Sequence, residues 1–309
     1  MENKLHISVS PHIRAKRTTR SIMLDVIIAL LPATIAGVVI FGLKSLAVIG
    51  VCVASAVLSE VLFNLAVKKE QTIGDLSSII TGLILALNLP ANVPLWQAAI
   101  SSVFAIVVVK CLFGGLGKNL VNPAATARVF MLIAFGSLAT SAMPEGVDAA
   151  SSATPLASIA NGELPELMDL FLGNIGGSIG ETCKVALLIG GIYLIARKVI
   201  TWHIPVAFMG SVFLLSFIIE DFNALTALAW VLSGGLVFGA IFMATDYTTS
   251  PKTALGKLVF GIGAGIITVV IRFWGAYPEG VSFAILLMNI VNPLICSLGS
   301  RKLFGGAKK

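Results

Sequence analysis

One short polar stretch of this chain has residue types and spacing that suit a covalent modification. Residues 148–154 read Asp-Ala-Ala-Ser-Ser-Ala-Thr, within a sequence that is otherwise strongly apolar. A hydroxyl group can accept a transferred group only where a second enzyme reaches it. Small residues precede the Thr154 hydroxyl, and Pro155 after it is expected to break any helix that would bury it. The stretch therefore predicts an accessible acceptor, with a Ser- and Ala-rich linker as the alternative.

The same residues resemble the pattern that flavin transferases recognise. That pattern is Asp, two variable residues, Ser or Thr, Gly or Ser, Ala and Thr. Its fixed positions are occupied here by Asp148, Ser151, Ser152, Ala153 and Thr154. The resemblance implies that Thr154 carries FMN through a phosphoester bond. Because short motifs recur by chance, this interpretation needs support from the rest of the chain.

The composition indicates an integral membrane protein. Hydrophobic residues make up 57% of the 309 residues and charged residues only 12%, whereas soluble domains contain about 25% charged residues. A membrane-spanning helix needs about 20 apolar residues, so the chain has room for roughly ten. The segments predicted to span the membrane are 21–43, 46–67, 77–89, 95–113, 124–142, 183–196, 204–219, 224–245, 257–273 and 282–298.

The distribution of basic residues predicts the orientation in the membrane. With the N-terminus in the cytoplasm, all of the 21 Lys and Arg residues except Lys44, Lys184 and Arg272 fall on the cytoplasmic side. Both termini are therefore expected inside a prokaryotic cell membrane, and the Thr154 loop outside it, where an exported flavin transferase would modify it. The net charge of +6 then reflects topology and contact with anionic membrane lipid, and nucleic acid is not an expected partner.

Two similar segments indicate an internal repeat, since residues 121–123 and 291–293 both read Val-Asn-Pro. Five spans in each half would give the halves opposite topology. The expected fold is an all-α polytopic membrane protein with about ten transmembrane helices in two inverted five-helix repeats. The alternative is that these Asn-Pro pairs only cap helices. The expected divisions are a basic cytoplasmic tail at 1–20, a first repeat at 21–142, an extracytoplasmic loop at 143–182, a second repeat at 183–298 and a cytoplasmic tail at 299–309.

Further motifs resemble one family over nearly the whole chain. They are Ser10-Pro11-His12, Gly114-Gly115-Leu116-Gly117 with Asn119, Asn122-Pro123-Ala124, Ala127-Arg128-Val129-Phe130, and Phe242-Met243-Ala244-Thr245-Asp246 with Thr249-Ser250-Pro251. These motifs are typical of the D subunit of the Rnf complex, which is similar to the B subunit of the sodium-pumping NADH:quinone reductase. Tyr247 departs from the family pattern, in which Pro is expected, and this leaves the conformation of its loop open.

The resemblance implies an electron-relay subunit. Rnf complexes pass electrons between ferredoxin and NAD and couple this to Na+ or H+ movement. The D subunit carries one covalent FMN, and related complexes hold a second, noncovalent riboflavin. Partner subunits, including a second FMN-bearing subunit and iron–sulfur subunits, would bind NAD and the clusters, because this chain has no P-loop, no dinucleotide-binding glycine motif and no zinc or cluster spacing. The alternatives are the B subunit of the quinone reductase and a solute channel or transporter of related fold.

Four charged residues in or beside the predicted spans are candidates for an ion path, because a charge is costly in the hydrocarbon core. Asp25 lies about one turn into the first span, and Glu60 lies deeper in the second. Arg128 lies one turn into the fifth span and Asp246 closes the eighth, both expected near the cytoplasmic face. Pairing at helix ends is favoured for Asp25 and Asp246. Glu60 is expected to contact the transported cation, with a hydrogen bond to another helix as the alternative.

The predicted topology can be tested with single cysteines in a chain whose four native cysteines are replaced. We expect Ala150→Cys to react with an impermeant maleimide in spheroplasts, because the Thr154 loop faces outward. Lys68→Cys, in a predicted cytoplasmic connection, is the control and should react only after permeabilisation. The opposite labelling pattern would reverse the orientation and remove the need for an exported transferase.

Overall fold

The computed structural model describes residues 17–136, 142–144, 154–275, 277 and 279–298, and its regular structure is helical. Pairing of extended backbone within these ranges is limited to a bridge between Ala142 and Gly177. The helices are α1 (Thr19–Phe41), α2 (Leu43–Ala66), α3 (Ser77–Leu87), α4 (Leu95–Phe104), α5 (Pro123–Phe135), α6 (Pro155–Ala160), α7 (Leu167–Leu172), α8 (Lys184–Ala196), α9 (His203–Ile219), α10 (Ala224–Leu232), α11 (Leu236–Phe238), α12 (Ala254–Trp274) and α13 (Val281–Leu298). π-helical turns extend α4 over Ala105–Cys111 and α11 over Gly239–Met243.

Helices occupy all ten segments that the apolar pattern indicates, and the all-α prediction is confirmed. Three helices, α1, α2 and α12, are long and apolar enough to cross a membrane, and α10 with α11 would make a fourth span with a bend of 65°. Other apolar helices are shorter: α3 has 11 residues, whereas a full crossing needs about 20. The chain is a multi-pass membrane protein, and the ten spans and the inverted repeat stay predictions.

The polar segment expected at 143–182 contains two short helices, α6 and α7. Before it, α5 ends at Phe135, because Gly136 adopts a left-handed conformation with φ 60°, and the helix does not reach the predicted boundary at 142. Thr154 lies outside a helix, at the N-cap of α6, and Pro155 begins that helix instead of only interrupting one. Pro155 is the first residue of α6, a position where the missing N–H costs nothing and the fixed φ favours the helix.

Small residues let neighbouring helices approach closely. A Cβ atom added to Gly190 of α8 would overlap the carbonyl oxygen of Ala29 in α1. A Cβ atom added to Gly261 of α12 would lie 2.7 Å from the Cβ of Ala207 in α9. Such contacts are typical of membrane helices, which associate by close packing because lipid is as apolar as their side chains.

The helix formed by α10 and α11 is interrupted inside the core. Ser233 follows the end of α10, Gly234 has a left-handed φ of 64°, and α11 begins after Gly235. All three residues of α11 are buried, and α11 packs against α8 and α9. The break leaves carbonyl groups of α10 and N–H groups of α11 without helical partners, so polar side chains must bind them.

Candidate functional site

Charged side chains from several elements surround the break between α10 and α11. Arg128 of α5 pairs with Glu279, which precedes α13, and its other terminal nitrogen donates to Asn88 Oδ1 at 2.7 Å. Glu181 Oε2 lies 3.6 Å from the same guanidinium group. The backbone N–H of Gly235 donates to Glu279 Oε1 at 2.7 Å. Glu279 thus connects α5 to the free amino end of α11.

Two further cations bind carbonyl groups at the end of α10 and in the break that follows it. Arg272 of α12 donates to the carbonyl oxygens of Trp230 at 2.6 Å and Ser233 at 3.2 Å. Lys184 of α8 donates to the carbonyl oxygen of Gly234 at 3.1 Å. Lys184 and Arg272 are exceptions to the cytoplasmic bias of the basic residues, and both are buried. Their contacts explain the exceptions, because these two charges bind the helix break and do not mark a membrane surface.

Two carboxylates meet at Gly235. A Cβ atom added to Gly235 would lie 2.5 Å from Glu279 Oε1 and 2.8 Å from Glu181 Oε2, so a larger residue would push them away. Burial raises the pKa of Glu279, and the positive charge of Arg128 opposes that rise. We call the five charged residues the break cluster, which carries an excess of one positive charge when all are ionised; its members are Arg128, Glu181, Lys184, Arg272 and Glu279.

Arg128 and Asp246 do not lie together, although both were expected near the cytoplasmic face. Arg128 contacts Glu181 and Glu279, whose segments are predicted to be extracytoplasmic. Asp246 lies beyond the opposite end of α11, where its Oδ2 accepts hydrogen bonds from Thr248 at 2.8 Å and Thr249 at 3.1 Å. Burial raises the pKa of Asp246, and these two hydroxyl groups partly offset the rise.

Thr154 caps the short helix α6. Its Oγ1 accepts a hydrogen bond from the backbone N–H of Ala157 at 3.2 Å, and the residue is half-buried. The other predicted motif residues lie outside the described ranges; they are Asp148, Ser151, Ser152 and Ala153. The structure therefore places the predicted acceptor at a helix start and leaves the rest of the motif a prediction.

The helix that follows Thr154 packs directly on the break. Leu156 and Ile159 of α6 form an apolar cluster with Leu170 and Trp230. Leu156 Cδ1 is 2.8 Å from the position that a Cβ atom on Gly234 would take. The predicted acceptor and the break cluster are therefore parts of one packed region, which the sequence alone did not indicate.

Glu60 is buried in a polar network between α2, α3 and the π-helical turn after α4. Its Oε1 accepts hydrogen bonds from Lys110 at 2.8 Å and Thr72 at 2.6 Å, and Lys110 also donates to Ser77 Oγ at 2.6 Å. Glu60 Oε2 is buried near the Ser78 hydroxyl, but no group in the described residues meets hydrogen-bond geometry with it. Lys110 was counted among the cytoplasmic basic residues, and the π-helical turn that directs it to Glu60 is not visible in a sequence pattern.

Asp25 is buried at the start of α1 and pairs with the end of α8. Its carboxylate accepts hydrogen bonds from Tyr193 at 3.1 Å and Arg197 at 3.2 Å. Arg17 donates to the carbonyl oxygen of Arg197 at 2.6 Å. These contacts fit the structural interpretation of Asp25, which holds two helix ends together.

A cavity of about 820 Å³, including the space open to solvent, lies between the two halves of the chain. Side chains of α1, α3, α8 and the π-helical turn after α11 form apolar walls, with Ile80, Ile84 and Phe242 among them. Asn119 and Asp246 add polar groups. Asn122 also lines the cavity, but its amide is occupied: it caps α5 and donates to the carbonyl oxygen of Met243 at 3.1 Å.

Comparison with known proteins shows one matching family and several similar proteins. A model of the NQR2, RnfD, RnfE family matches residues 6–305. The chain is 44% identical to the D subunit of the Na+-translocating ferredoxin:NAD+ oxidoreductase complex of Acetobacterium woodii, over 99% of this chain and 97% of that protein. It is 39% identical to the D subunit of the proton-translocating ferredoxin:NAD+ oxidoreductase complex of Clostridium ljungdahlii, over 95% of this chain and 94% of that protein. It is 38% identical to the D subunit of the ion-translocating oxidoreductase complex of Stutzerimonas stutzeri, over 89% and 88%.

The break cluster predicts that Arg128→Gln is strongly destabilising, by about 3–5 kcal/mol, because the buried carboxylate of Glu181 and the half-buried carboxylate of Glu279 lose their cation. The free energy of unfolding can be measured by titration with a denaturing detergent. Lys118→Gln removes an exposed charge and should change the free energy by less than about 0.5 kcal/mol. Arg128→Gln with Glu279→Gln should recover part of the loss. Equal stability of the Arg128 and Lys118 variants would contradict a role of these pairs in the fold.

Proposed function

Because this chain belongs to the NQR2, RnfD, RnfE family, we propose that it is the electron-relay subunit of an ion-translocating ferredoxin:NAD+ oxidoreductase. Three relatives that align over most of their length are named as D subunits of oxidoreductase complexes, and two of those names specify ferredoxin and NAD+. The protein would act within a membrane complex whose other subunits bind NAD and the iron–sulfur clusters. This assignment carries the rest of the proposal.

In this proposal Thr154 holds FMN through a phosphoester, attached by a flavin transferase. The local structure fits such a group. A threonine oxygen that joins a phosphate loses its proton but keeps lone pairs, so it can still accept the hydrogen bond from Ala157 that caps α6. Pro155 fixes the backbone next to the linkage. The flavin supplies the electron-transfer chemistry when it is bound.

The break cluster would give the attached flavin a favourable electrostatic environment. The helix that begins after Thr154 rests on Gly234, whose added Cβ would lie 3.4 Å from a terminal nitrogen of Arg272. The cluster has three cations and two carboxylates, and it lies in a protein interior where charges interact strongly. A negatively charged phosphoester is favoured near such an excess of positive charge.

The cavity between the halves is the place where a noncovalent riboflavin would bind. Apolar walls suit the faces of a flat ring, while Asn119 and Asp246 offer hydrogen-bonding groups to the polar edge of that ring. Asn122 would shape the site without binding the ligand, because its own hydrogen bonds hold α5 and Met243 in place.

Glu60 is the proposed contact for the transported cation. One oxygen of its carboxylate is engaged by Lys110 and Thr72, and the other meets hydrogen-bond geometry with no group in the described part of the chain. A cation that reached Glu60 would compete with the ammonium group of Lys110. This gives a physical reason for coupling, since movement of Lys110 would change the affinity of the site. The alternative is that the pair only connects α2 to the π-helical turn.

Two other functions remain as alternatives. A B-type subunit of the quinone reductase belongs to the same family, and quinone reduction by the assembled complex would distinguish it. A solute channel or transporter would have no need of a covalent flavin. Detection of FMN on the denatured protein therefore separates the relay from the channel.

Thr154→Asn should abolish covalent FMN, because Asn caps a helix well but has no hydroxyl group to esterify. Thr253→Asn is a matched control, since Thr253 caps α12 in the same way by accepting from Gly256 at 3.1 Å. In-gel fluorescence and intact mass after expression with the transferase measure the flavin. FMN mass on the Thr154 variant would contradict the proposed linkage. Asp148→Ala should slow attachment if the transferase recognises that acid.

Glu60→Gln with Lys110→Met should leave the FMN content and complex assembly unchanged but weaken the ion dependence of turnover by about tenfold, or about 1.4 kcal/mol. The double variant avoids the unpaired ammonium that Glu60→Gln alone would leave, at a cost of about 3–5 kcal/mol. Ion uptake per electron in proteoliposomes measures the coupling. Wild-type uptake and ion affinity in the assembled double variant would remove Glu60 from the path.

A further inference from the structure

Three lysines surround a pocket at the end of the molecule that is predicted to face the cytoplasm. The pocket has a volume of about 680 Å³, including the space open to solvent, and lies between the α8–α9 connection and the start of α12. Its polar lining consists mainly of Lys198, Thr201, Ser250, Lys252 and Lys257. It adjoins the cavity proposed for riboflavin and shares Val199, Ile200, Thr245 and Tyr247 with it, but the three lysines line this pocket and not that cavity.

The charges around this pocket are not balanced. Carboxylates within the described ranges pair with Lys110, Arg128 and Arg197, and not with any of the three pocket lysines. Asp25 is occupied by Tyr193 and Arg197, and Asp246 accepts hydrogen bonds from Thr248 and Thr249 and pairs with none of the three lysines in the described residues.

The terminal segments contain too few carboxylates to balance the three lysines. Residues 1–16 and 299–309 together contain one acidic residue, Glu2. Like charges gathered at one pocket repel each other, and a bound anion would relieve that repulsion.

A backbone turn and one hydroxyl group position two of the three lysines at the pocket. Lys198 has a left-handed φ of 56°, which turns the chain sharply after α8. Lys257 lies in the first turns of α12, and its ammonium group donates to Thr201 Oγ1 at 3.0 Å. Thr253 caps this helix of 21 residues. The positive end of the helix dipole adds to the lysine charges at the same place.

Exposed apolar residues border the pocket along the chain. Trp202 follows Thr201 and is 53% exposed, and Leu255 lies between Lys252 and Lys257 and is 66% exposed. A free phosphate would make no use of them. A phospholipid would place its phosphate among the lysines and its acyl chains against the apolar side chains. An aromatic residue beside basic residues is also typical of a membrane–water interface.

We propose that this pocket binds the phosphate of an anionic phospholipid headgroup, such as that of phosphatidylglycerol. Basic pockets between membrane helices commonly take this ligand class. The site does not depend on the flavin or on the transported ion. It binds one lipid at a defined place, in contrast to the general attraction of scattered lysines to an anionic surface.

The proposal can be tested in the purified, delipidated complex by measuring the binding of labelled phosphatidylglycerol. The test variant is Lys198→Gln with Lys252→Gln. The control is Lys68→Gln with Lys69→Gln, which removes the same charge from an exposed segment on the same predicted side, and Lys68 has the same φ of 56°. At about 1 kcal/mol for each lysine near a lipid surface, we expect binding about 25-fold weaker in the test variant. The control should change by less than about twofold.

Four results would overturn the proposal. An equal loss in both variants would indicate general surface attraction, and unchanged binding in the test variant would indicate that the lipid lies elsewhere. If millimolar inorganic phosphate displaced the lipid equally well whatever its acyl chains, the ligand would be a soluble anion. Loss of a partner subunit from the complex of the test variant would show that the pocket binds protein.

Discussion

A broken helix inside an apolar core needs polar partners for its free backbone groups. This requirement determines which helices pack around the break between α10 and α11. An unsatisfied polar group away from water costs several kcal/mol. Arg272 binds the carbonyl group of Trp230 in α10, Lys184 binds that of Gly234 in the break, and Glu279 binds the N–H of Gly235. Arg128 then neutralises Glu279 and holds Asn88. Helices α5, α8 and α12 are therefore fixed around one point.

The short helix α3 connects two polar networks, one at each of its ends. Ser77 at its first position accepts from Lys110, which pairs with Glu60. Asn88 at its end accepts from Arg128 of the break cluster. At 1.5 Å per residue, the 11 residues of α3 span about 16 Å. The same helix forms a wall of the large cavity through Ile80 and Ile84. A shift of α3 would therefore change the contacts at the proposed ion contact, at the proposed riboflavin site and in the region that packs under Thr154.

Helix length distinguishes apolar segments that can cross the membrane from apolar segments that end inside the protein. α1, α2 and α12 have 23, 24 and 21 residues, enough to cross a hydrocarbon layer of about 30 Å. α3 and α10 have 11 and 9 residues and end in polar contacts inside the protein. Irregular backbone at membrane depth is tolerated where protein covers it, and the buried α11 fits this condition. Hydropathy identifies both kinds of segment as apolar but does not show which ones end within the core.

The sequence by itself determined the class of the protein, the helical segments and the family. Composition and apolar runs depend on local residue types, and these were sufficient to indicate an all-α membrane protein and to single out Glu60 and Arg128 as unusual charges. The tertiary structure alone decided their partners. Lys110 and Glu60 are 50 positions apart in the sequence, and Arg128 and Glu279 are 151 positions apart. No periodicity encodes such distant pairings. They arise when a bent helix and a π-helical turn redirect side chains, and when buried charges must each find an opposite charge.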